Sequence, residues 1–285
     1  MIEEEGKNEM VLAVVIVYEP DMELLQNNIN AFINDVDRLM IWDNTPGGTN
    51  HKMFNEFGQD KFLFQGNGKN VGISKALNYA LRYACKEGFD YLLTMDQDSV
   101  WHDFSAFKKA VIKKNEHEEC ICGPYAGIDV PQGKSGFELN RWQITSGMLV
   151  KTNLLMTIGG YNEAFMVDCV DIELCLRAKA NGYNSYYCYE GFLQQRYGTP
   201  SKTIFLGKER NYIYYSPFRV RGILRGHIFL NRKYKHPELP KEIKFYTKEA
   251  IKSMLYSNKQ PLQLFLAIIG GFFDGLKMKD ELLVK

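Results

Sequence analysis

Between residues 10 and 127, short apolar runs rich in β-branched residues alternate with segments whose apolar residues recur at helical spacing. The run MVLAVVIVYEP predicts a strand buried on both faces, and Leu24, Leu25 and Ile29 follow at the spacing of an amphipathic helix. Further strands are predicted in RLMIWDNT, KFLFQGN, DYLLTMD and ECICGPYAG, and helices in VGISKALNYALRYACKEG and SAFKKAVIKKN. This alternation predicts an α/β fold with a parallel sheet and right-handed crossovers.

Each of the first four predicted strands ends in polar residues. In open α/β sheets, ligands bind at the carboxyl ends of the strands, so these residues are expected to gather at one edge. Any one of them is also an ordinary turn or capping residue, but four coincident positions favour a binding site. The residues are Glu19, Asp43, Asn44, Asn70, Gly72, Asp96 and Asp98.

Asp96 and Asp98 stand one residue apart, directly after the mostly apolar run 91–95. Two neighbouring carboxylates repel each other and lose hydration on burial. A surface turn would accommodate them without a partner. A hard divalent cation, which favours oxygen ligands and often binds a phosphate as well, is the alternative.

Charge is distributed unevenly along the 285-residue chain. Residues 1–200 contain 18 Lys and Arg against 27 Asp and Glu, whereas residues 201–285 contain 17 against 7. The basic region favours an anionic partner such as a membrane surface or a polyphosphate, unless it packs against the acidic body. Nucleic acid is not expected, since no RNA- or DNA-binding motif is recognisable. We expect a first domain over 1–200 and a basic, aromatic, mainly helical region over 201–285.

The chain shows no pattern typical of a signal peptide, and its longest uncharged run, 260–273, has only 14 residues. Because a transmembrane helix needs roughly 18 apolar residues, we interpret this run as a buried or interfacial helix. The six cysteines lack zinc-type spacing, and because most of them lie in apolar or aromatic surroundings, buried free thiols are expected. These features predict a cytoplasmic protein, with peripheral contact at the inner face of the cell membrane as an option.

Five stretches follow one another over about residues 10–200: VVIVYEP, IWDNT, NVGISKALNYAL, LLTMDQDS and ITSGMLV…GGYNEAFMVDCVDIELCLR. In this order they resemble family 2 glycosyltransferases of the GT-A fold, closest to bacterial rhamnosyltransferases of O-antigen and other polysaccharide synthesis. The resemblance implies a Rossmann-like, mostly parallel sheet flanked by helices, with a C-terminal helical extension. It also implies an inverting transfer from a nucleotide-activated sugar to a saccharide hydroxyl.

The resemblance makes Asp98 a direct ligand of Mg²⁺ or Mn²⁺, with Asp96 supporting the ion or the ribose. The ion would neutralise the departing diphosphate as a Lewis acid. Asp171 corresponds to the family's catalytic base, although the acidic residue before it is replaced by Val170. Asp168 is the rival base, and helix capping is the structural alternative for both.

The resemblance also assigns the remaining contacts. Those to the nucleotide are Val17, Tyr18, Glu19, Asp43, Asn44, Asn70, Gly72, Lys75 and Asp96. Those to the acceptor are Trp142, Thr145, Ser146 and Asp168. An exposed helix lysine is an equal interpretation of Lys75, and a core aromatic is a strong alternative for Trp142.

Two positions depart from the family pattern. Glu19 stands where many members have Asn, and Gln195 stands in FLQQRYG where many have a metal-binding His. Gln is a poorer metal ligand, so water and phosphate, Arg196 or His227 would then complete the coordination.

The expected function is therefore transfer of L-rhamnose from dTDP-β-L-rhamnose to a lipid-linked saccharide. A UDP-hexose donor is the alternative within enzymes, and a catalytically weak sugar-nucleotide-binding protein is the alternative outside them. The basic, aromatic region 201–285 suits a membrane surface. It equally suits a packed subdomain or a homo-oligomer interface.

Overall fold

The computed structural model describes residues 9–49, 61–195, 199–205, 207–257 and 259–283. The chain divides into two compact units. The first comprises Met1–Tyr161, Leu174–Arg196 and Leu282–Lys285, and the second comprises Asn162–Glu173 and Tyr197–Glu281. The expected division into domains 1–200 and 201–285 stays a prediction.

The first unit contains a mixed sheet with the strand order β3-β2-β1-β4-β8-β6-β9-β5, and β7 pairs with β9. Its strands are β1 Val11–Val17, β2 Arg38–Asp43, β3 Phe62–Gly66, β4 Tyr91–Asp96, β5 Val100–His102, β6 Cys120–Gly127, β7 Phe137–Asn140, β8 Leu149–Lys151 and β9 Asn184–Gln194. The first four strands are parallel to one another, as the alternating sequence predicts. β8 runs antiparallel to β4, so the sheet is not parallel throughout.

The first unit also contains helices α1 Met22–Asn30, α2 Ile73–Glu87, α3 Phe104–His117 and α4 Thr152–Thr157, and α5 Val170–Ala180 begins in the second unit and ends in the first. Local signals explain their ends. The Asp21 carboxylate accepts hydrogen bonds from the first backbone N–H groups of α1, and Gly88 ends α2 with φ of 78°. The sequence analysis predicts neither β5 nor β7, because strands of three and four residues are too short to show a period.

A hydrophobic core fills the first unit on both sides of β1. Val11, Ala13, Val15 and Val17 join one large cluster of buried residues, which also includes Leu93 from β4. Every residue from Val11 to Val15 is inaccessible to solvent. The apolar, β-branched run therefore forms the central strand that its composition predicts.

The second unit begins, after its segment 162–173, with an antiparallel hairpin of β10 Thr199–Phe205 and β11 Lys208–Tyr214. Three helices follow: α6 Pro217–Tyr234, α7 Leu239–Tyr256 and α8 Pro261–Lys277. The expectation of helix from residue 201 is therefore wrong for 201–214. Interleaved charged and aromatic residues fit the period of a helix as well as that of a strand. The turn at Gly207, with φ of 72°, favours the hairpin. None of the helices in the described residues is both long and apolar enough to cross a membrane.

Helices α6 and α8 approach closely because glycines of α8 lie against the backbone of α6. A Cβ added to Gly271 would lie 2.8 Å from the carbonyl oxygen of Arg221, and one added to Gly275 would lie 2.6 Å from that of Arg225. Cβ atoms in proteins do not come this close to a backbone carbonyl oxygen, so only glycine permits this contact.

We expect Gly275→Ala to lower the free energy of unfolding by about 1–3 kcal/mol, because the added methyl group would push α8 away from α6. Gly270→Ala is the matched control, since a Cβ there meets only the flexible Arg221 side chain, at 3.2 Å. The better helix propensity of Ala is expected to raise the stability of this control by up to about 1 kcal/mol. Chemical denaturation followed by circular dichroism measures both, and equal effects would contradict the close contact.

Candidate active site

The parallel register of β1, β2 and β4 brings three strand ends to one edge of the sheet. Val17 pairs with Asp43 across β1 and β2. Ile16 pairs with Asp96 across β1 and β4. The residues that follow these positions therefore emerge side by side, as expected for the binding edge of an α/β sheet.

Gln97 joins the ends of β1 and β4, a role that the sequence analysis misses. Its Oε1 accepts a hydrogen bond of 2.8 Å from the backbone N–H of Tyr18, and its Nε2 donates to the carbonyl oxygen of Tyr18 at 3.2 Å. Because Gln97 stands between two aspartates, the sequence analysis assigns a role to Asp96 and Asp98 and none to Gln97. Gln97 lies in the turn that follows β4, so no strand period marks its role in the sequence.

The backbone of Asp96 is held from two sides. Its N–H donates to Ser146 Oγ at 3.1 Å, and its carbonyl oxygen accepts from Asn28 Nδ2 at 2.6 Å. Asp98, two residues further on, is exposed to solvent. The pair therefore combines a positioned carboxylate with an accessible one.

Gln195 contacts the same carboxylate, although it lies 99 residues further along the chain. Its Nε2 donates a hydrogen bond of 3.1 Å to Asp96 Oδ2. Its Oε1 is buried and has no hydrogen-bond partner in the described part of the chain. An amide oxygen with unused acceptor capacity beside a carboxylate fits a hard cation.

A divalent ion fits this edge only with help from a substrate. No three His, Cys, Asp or Glu side chains are grouped to hold a metal within the described residues. Mg²⁺ is typically bound by one or two carboxylates together with substrate phosphates and water, so Asp96 and Asp98 are a sufficient protein contribution. The arrangement therefore suits an ion that arrives with a diphosphate.

Asp43 is buried and organises the segment that follows β2. Its Oδ1 accepts from the backbone N–H of Thr45 at 2.8 Å, and its Oδ2 accepts from the N–H and the hydroxyl of Thr49 at 2.6 and 2.7 Å. Burial alone would raise the pKa of Asp43, but the hydrogen bonds from Thr49 and Thr45 outweigh it and hold the pKa below the ordinary value.

Asn44 connects this segment to the start of α2. Its Oδ1 accepts from the indole N–H of Trp42 at 3.0 Å and from the backbone N–H of Val71 at 3.2 Å. Asn70 Oδ1 accepts from the N–H of Gly72 at 2.9 Å, and Gly72 adopts φ of 84°. These contacts hold the amino end of α2 at the same edge.

Exposed side chains complete the edge. Tyr18 and Glu19 follow β1, and Lys75 lies in the first turn of α2. The positive end of a helix dipole and a lysine together favour an anionic group. Contact of these residues with a nucleotide stays a prediction.

The residues expected to bind the acceptor differ in accessibility. Trp142 is half-buried, with the Arg141 guanidinium 4.6 Å from its ring centre. Thr145 is half-buried as well. Ser146 is fully buried, and its hydroxyl donates to Ser99 Oγ at 2.9 Å. Ser146 therefore supports Asp96, and its contact with an acceptor stays a prediction.

The second unit contains the three acidic residues of the predicted base segment. Asp168 Oδ1 accepts from Arg219 at 2.7 Å, and the buried Glu173 accepts from the Tyr234 hydroxyl at 2.8 Å. Asp171 is half-buried in the first turn of α5. Of the two acidic residues of α5, Asp171 is therefore the more accessible to solvent, since Glu173 is fully buried.

Backbone strain marks one of the two residues between the candidate bases. Cys169 adopts φ of 67°, which is unfavourable for a residue with a Cβ. Its Sγ lies 3.2 Å from His227 Nδ1, and His227 Nδ1 lies 2.8 Å from the carbonyl oxygen of Ile223. His227 thus serves to hold this segment within the second unit, and burial lowers its pKa. Arg196, the other substitute metal ligand, lies outside the described residues.

Comparisons with known proteins agree with this architecture. No family model matches the chain. The dTDP-rhamnosyl transferase RfbF of Shigella flexneri is 26% identical over 196 residues, which span 60% of this chain and 63% of that protein. The chain thus matches less than two thirds of that relative's length.

Two solved structures show the same fold. GalNAc-T7 with UDP, GalNAc and Mn²⁺ aligns with 87% of this chain and 58% of its own, at a TM-score of 0.58 and 10% identity. S. aureus TarS with UDP-GlcNAc aligns with 93% of this chain and 81% of its own, at a TM-score of 0.55 and 13% identity. The chain has the GT-A fold. Its resemblance to family 2 glycosyltransferases, and to a rhamnosyltransferase among them, is confirmed.

A pH experiment tests the role of Asp43. Because its pKa is depressed, its contribution to stability is complete above the ordinary value of 3.8 and is lost as the pH falls through the lower folded-state pKa. We expect Asp43→Asn to lower the free energy of unfolding by about 1–3 kcal/mol at neutral pH. The difference from wild type is expected to shrink below pH 3.8.

Urea denaturation at neutral and at acidic pH measures this difference. Asp129→Asn, at an exposed position after β6, is the control and should leave stability unchanged at both. A cost of Asp43→Asn that does not depend on pH would contradict the role of the three hydrogen bonds.

Proposed function

We propose that this chain is an inverting, metal-dependent glycosyltransferase that moves a sugar from a nucleotide donor to a hydroxyl group of a saccharide. The observation that carries the proposal is the alignment of Asp43 and Asp96 with the end of β1, on a GT-A fold. We further propose L-rhamnose from dTDP-β-L-rhamnose as the donor sugar. The name of the Shigella relative supports this choice.

The first unit would bind the donor. The nucleotide would contact Tyr18, Glu19 and the segment after Asp43, while Lys75 and the amino end of α2 would face the phosphates. Asp98 and Asp96 would hold Mg²⁺ or Mn²⁺, which stabilises the negative charge of the departing diphosphate when bound. The hydrogen bond from Gln195 keeps the Asp96 carboxylate in place for that role.

Asp171 would accept the proton of the acceptor hydroxyl. The acceptor oxygen then forms a bond to the anomeric carbon while the bond from that carbon to the diphosphate oxygen breaks, which inverts the configuration. Asp168 is the alternative base, and its Oδ1 accepts a charge-assisted hydrogen bond from Arg219. The half-buried Trp142 would offer its ring to the acceptor sugar, which we propose to be part of a growing saccharide, and a lipid-linked one suits the basic region 201–285.

Two specific observations support alternatives. Solved structures of the same fold contain UDP or UDP-GlcNAc, which keeps a UDP-hexose donor as the second candidate. Gln195 stands where many family members have a metal-binding His, and because Gln is a poorer metal ligand this substitution favours a catalytically weak sugar-nucleotide-binding protein.

Thermal unfolding with a panel of nucleotide sugars distinguishes the donors. With Mn²⁺ present, dTDP-rhamnose at about 100 times its dissociation constant should stabilise the protein by roughly 2.7 kcal/mol. Asp98→Asn and chelation by EDTA should each abolish most of this shift. Glu116→Gln, at an exposed carboxylate on α3, is the matched control and should retain it.

Each other outcome of this panel has a defined meaning. If only UDP-sugars stabilise the protein, the donor is a UDP-sugar instead of dTDP-rhamnose, and the proposed transfer reaction stands. An undiminished shift in Asp98→Asn would contradict the metal assignment. Stabilisation without transfer to any acceptor would favour the weak binding protein.

Replacing the proposed base should separate binding from chemistry. We expect Asp171→Asn to lower kcat by about 10²–10⁴-fold, because general base catalysis contributes factors of this size, while donor affinity stays unchanged. Asp168→Asn should have a smaller effect on kcat. Transfer of radiolabelled rhamnose to a saccharide acceptor measures both rates, and the reverse ranking would make Asp168 the base.

A further inference from the structure

Helix α8 differs from an ordinary amphipathic helix of a soluble protein. It buries mainly small residues and exposes large apolar side chains. Its buried positions are Leu264, Ala267, Gly271 and Gly275. Seven large apolar side chains are between 40% and 65% exposed: Leu262, Phe265, Leu266, Ile269, Phe272, Phe273 and Leu276. We call these seven residues the apolar stripe of α8.

The spacing of the stripe places it on one side of the helix. Successive members from Leu262 to Leu276 are either three residues apart or adjacent in the sequence. The stripe is therefore about 20 Å long. Within it, no charged residue precedes Asp274, which pairs with Arg221 at 2.7 Å.

An exposed apolar surface of this size implies a partner. Seven half-exposed leucine, isoleucine and phenylalanine side chains present about 600–700 Å². Monomeric proteins rarely leave more than a few hundred Å² of contiguous apolar surface in water. The glycine contacts with α6 show that packing inside the unit is already satisfied on the opposite side of α8.

The charges around the stripe indicate which partner it has. Exposed lysines stand at both ends of α8, with Lys259 before it and Lys277 and Lys279 at its end. Residues 201–285 as a whole contain 17 Lys and Arg against 7 Asp and Glu. Lysines at the ends of an apolar helix extend their ammonium groups to lipid headgroups while the stem stays in apolar surroundings.

We propose that the apolar stripe of α8 binds the surface of an anionic lipid bilayer, with the helix lying in the plane of the membrane. Its large side chains enter the boundary between headgroups and acyl chains, and the surrounding Lys and Arg residues bind the anionic headgroups. No helix in the described residues is suited to span a membrane, so the contact is peripheral.

A second copy of the chain fits the same surface less well. A stable protein interface buries about 800 Å² on each partner, more than this single helix face offers. Two copies joined through the stripe would also bring together two regions of excess positive charge, which repel each other.

Vesicle flotation tests the proposal with the full-length protein and without any sugar donor. Wild type is expected to bind vesicles of phosphatidylcholine mixed with an equal amount of phosphatidylglycerol more tightly than vesicles of phosphatidylcholine alone. The double substitution Leu266→Gln with Phe273→Gln should lower the partition coefficient by about tenfold or more. Lys277→Glu with Lys279→Glu should weaken binding to the anionic vesicles alone.

Ile204→Gln is the matched control, because Ile204 is 78% exposed but lies in the β10–β11 hairpin. It should bind like wild type. Failure of wild type to bind anionic vesicles, or unchanged binding by the double variant, would overturn the proposal. A dimer that the double variant converts to a monomer, with no vesicle binding by either, would assign the stripe to a second copy. Donor binding measured on the same variants is a separate readout, so the two proposals fail independently.

Discussion

The hydrogen-bond register of β1 against β2 and β4 is the constraint on which the candidate site depends. It sets Val17 beside Asp43 and Ile16 beside Asp96, so that chain segments from three parts of the sequence end at one edge. A slip of one residue would turn each of these side chains to the opposite face of the sheet. Because β1 is fully buried from Val11 to Val15, such a slip is disfavoured by the whole core.

Hydrogen bonds from several parts of the chain hold the aspartates at this edge. Asn28 and Ser146 bind the backbone of Asp96, and Gln195 binds its carboxylate. Asp43 is held by three hydrogen bonds from the segment that follows it. These hydrogen bonds fix the positions of the two aspartates at the edge of the sheet.

The second unit combines two features on which the proposals above depend. It contains the segment with Asp168 and Asp171, and it presents the apolar stripe of α8. The stripe exists because Gly271 and Gly275 let α8 approach α6 through its small residues. The larger side chains then have no place in the core of the unit. The same packing that stabilises the unit therefore creates its apolar surface.

The sequence by itself determined the α/β class, the first four strands and the carboxylates at their ends, because hydrophobic period and turn residues are local signals. It also marked 260–273 as an interfacial or buried helix. Only the tertiary structure decided that Gln97 supports the site, that Gln195 binds the Asp96 carboxylate, that 201–214 form a hairpin, and which side of α8 faces solvent. Those outcomes depend on contacts between residues far apart in the chain, and such contacts leave no periodic pattern in either partner alone.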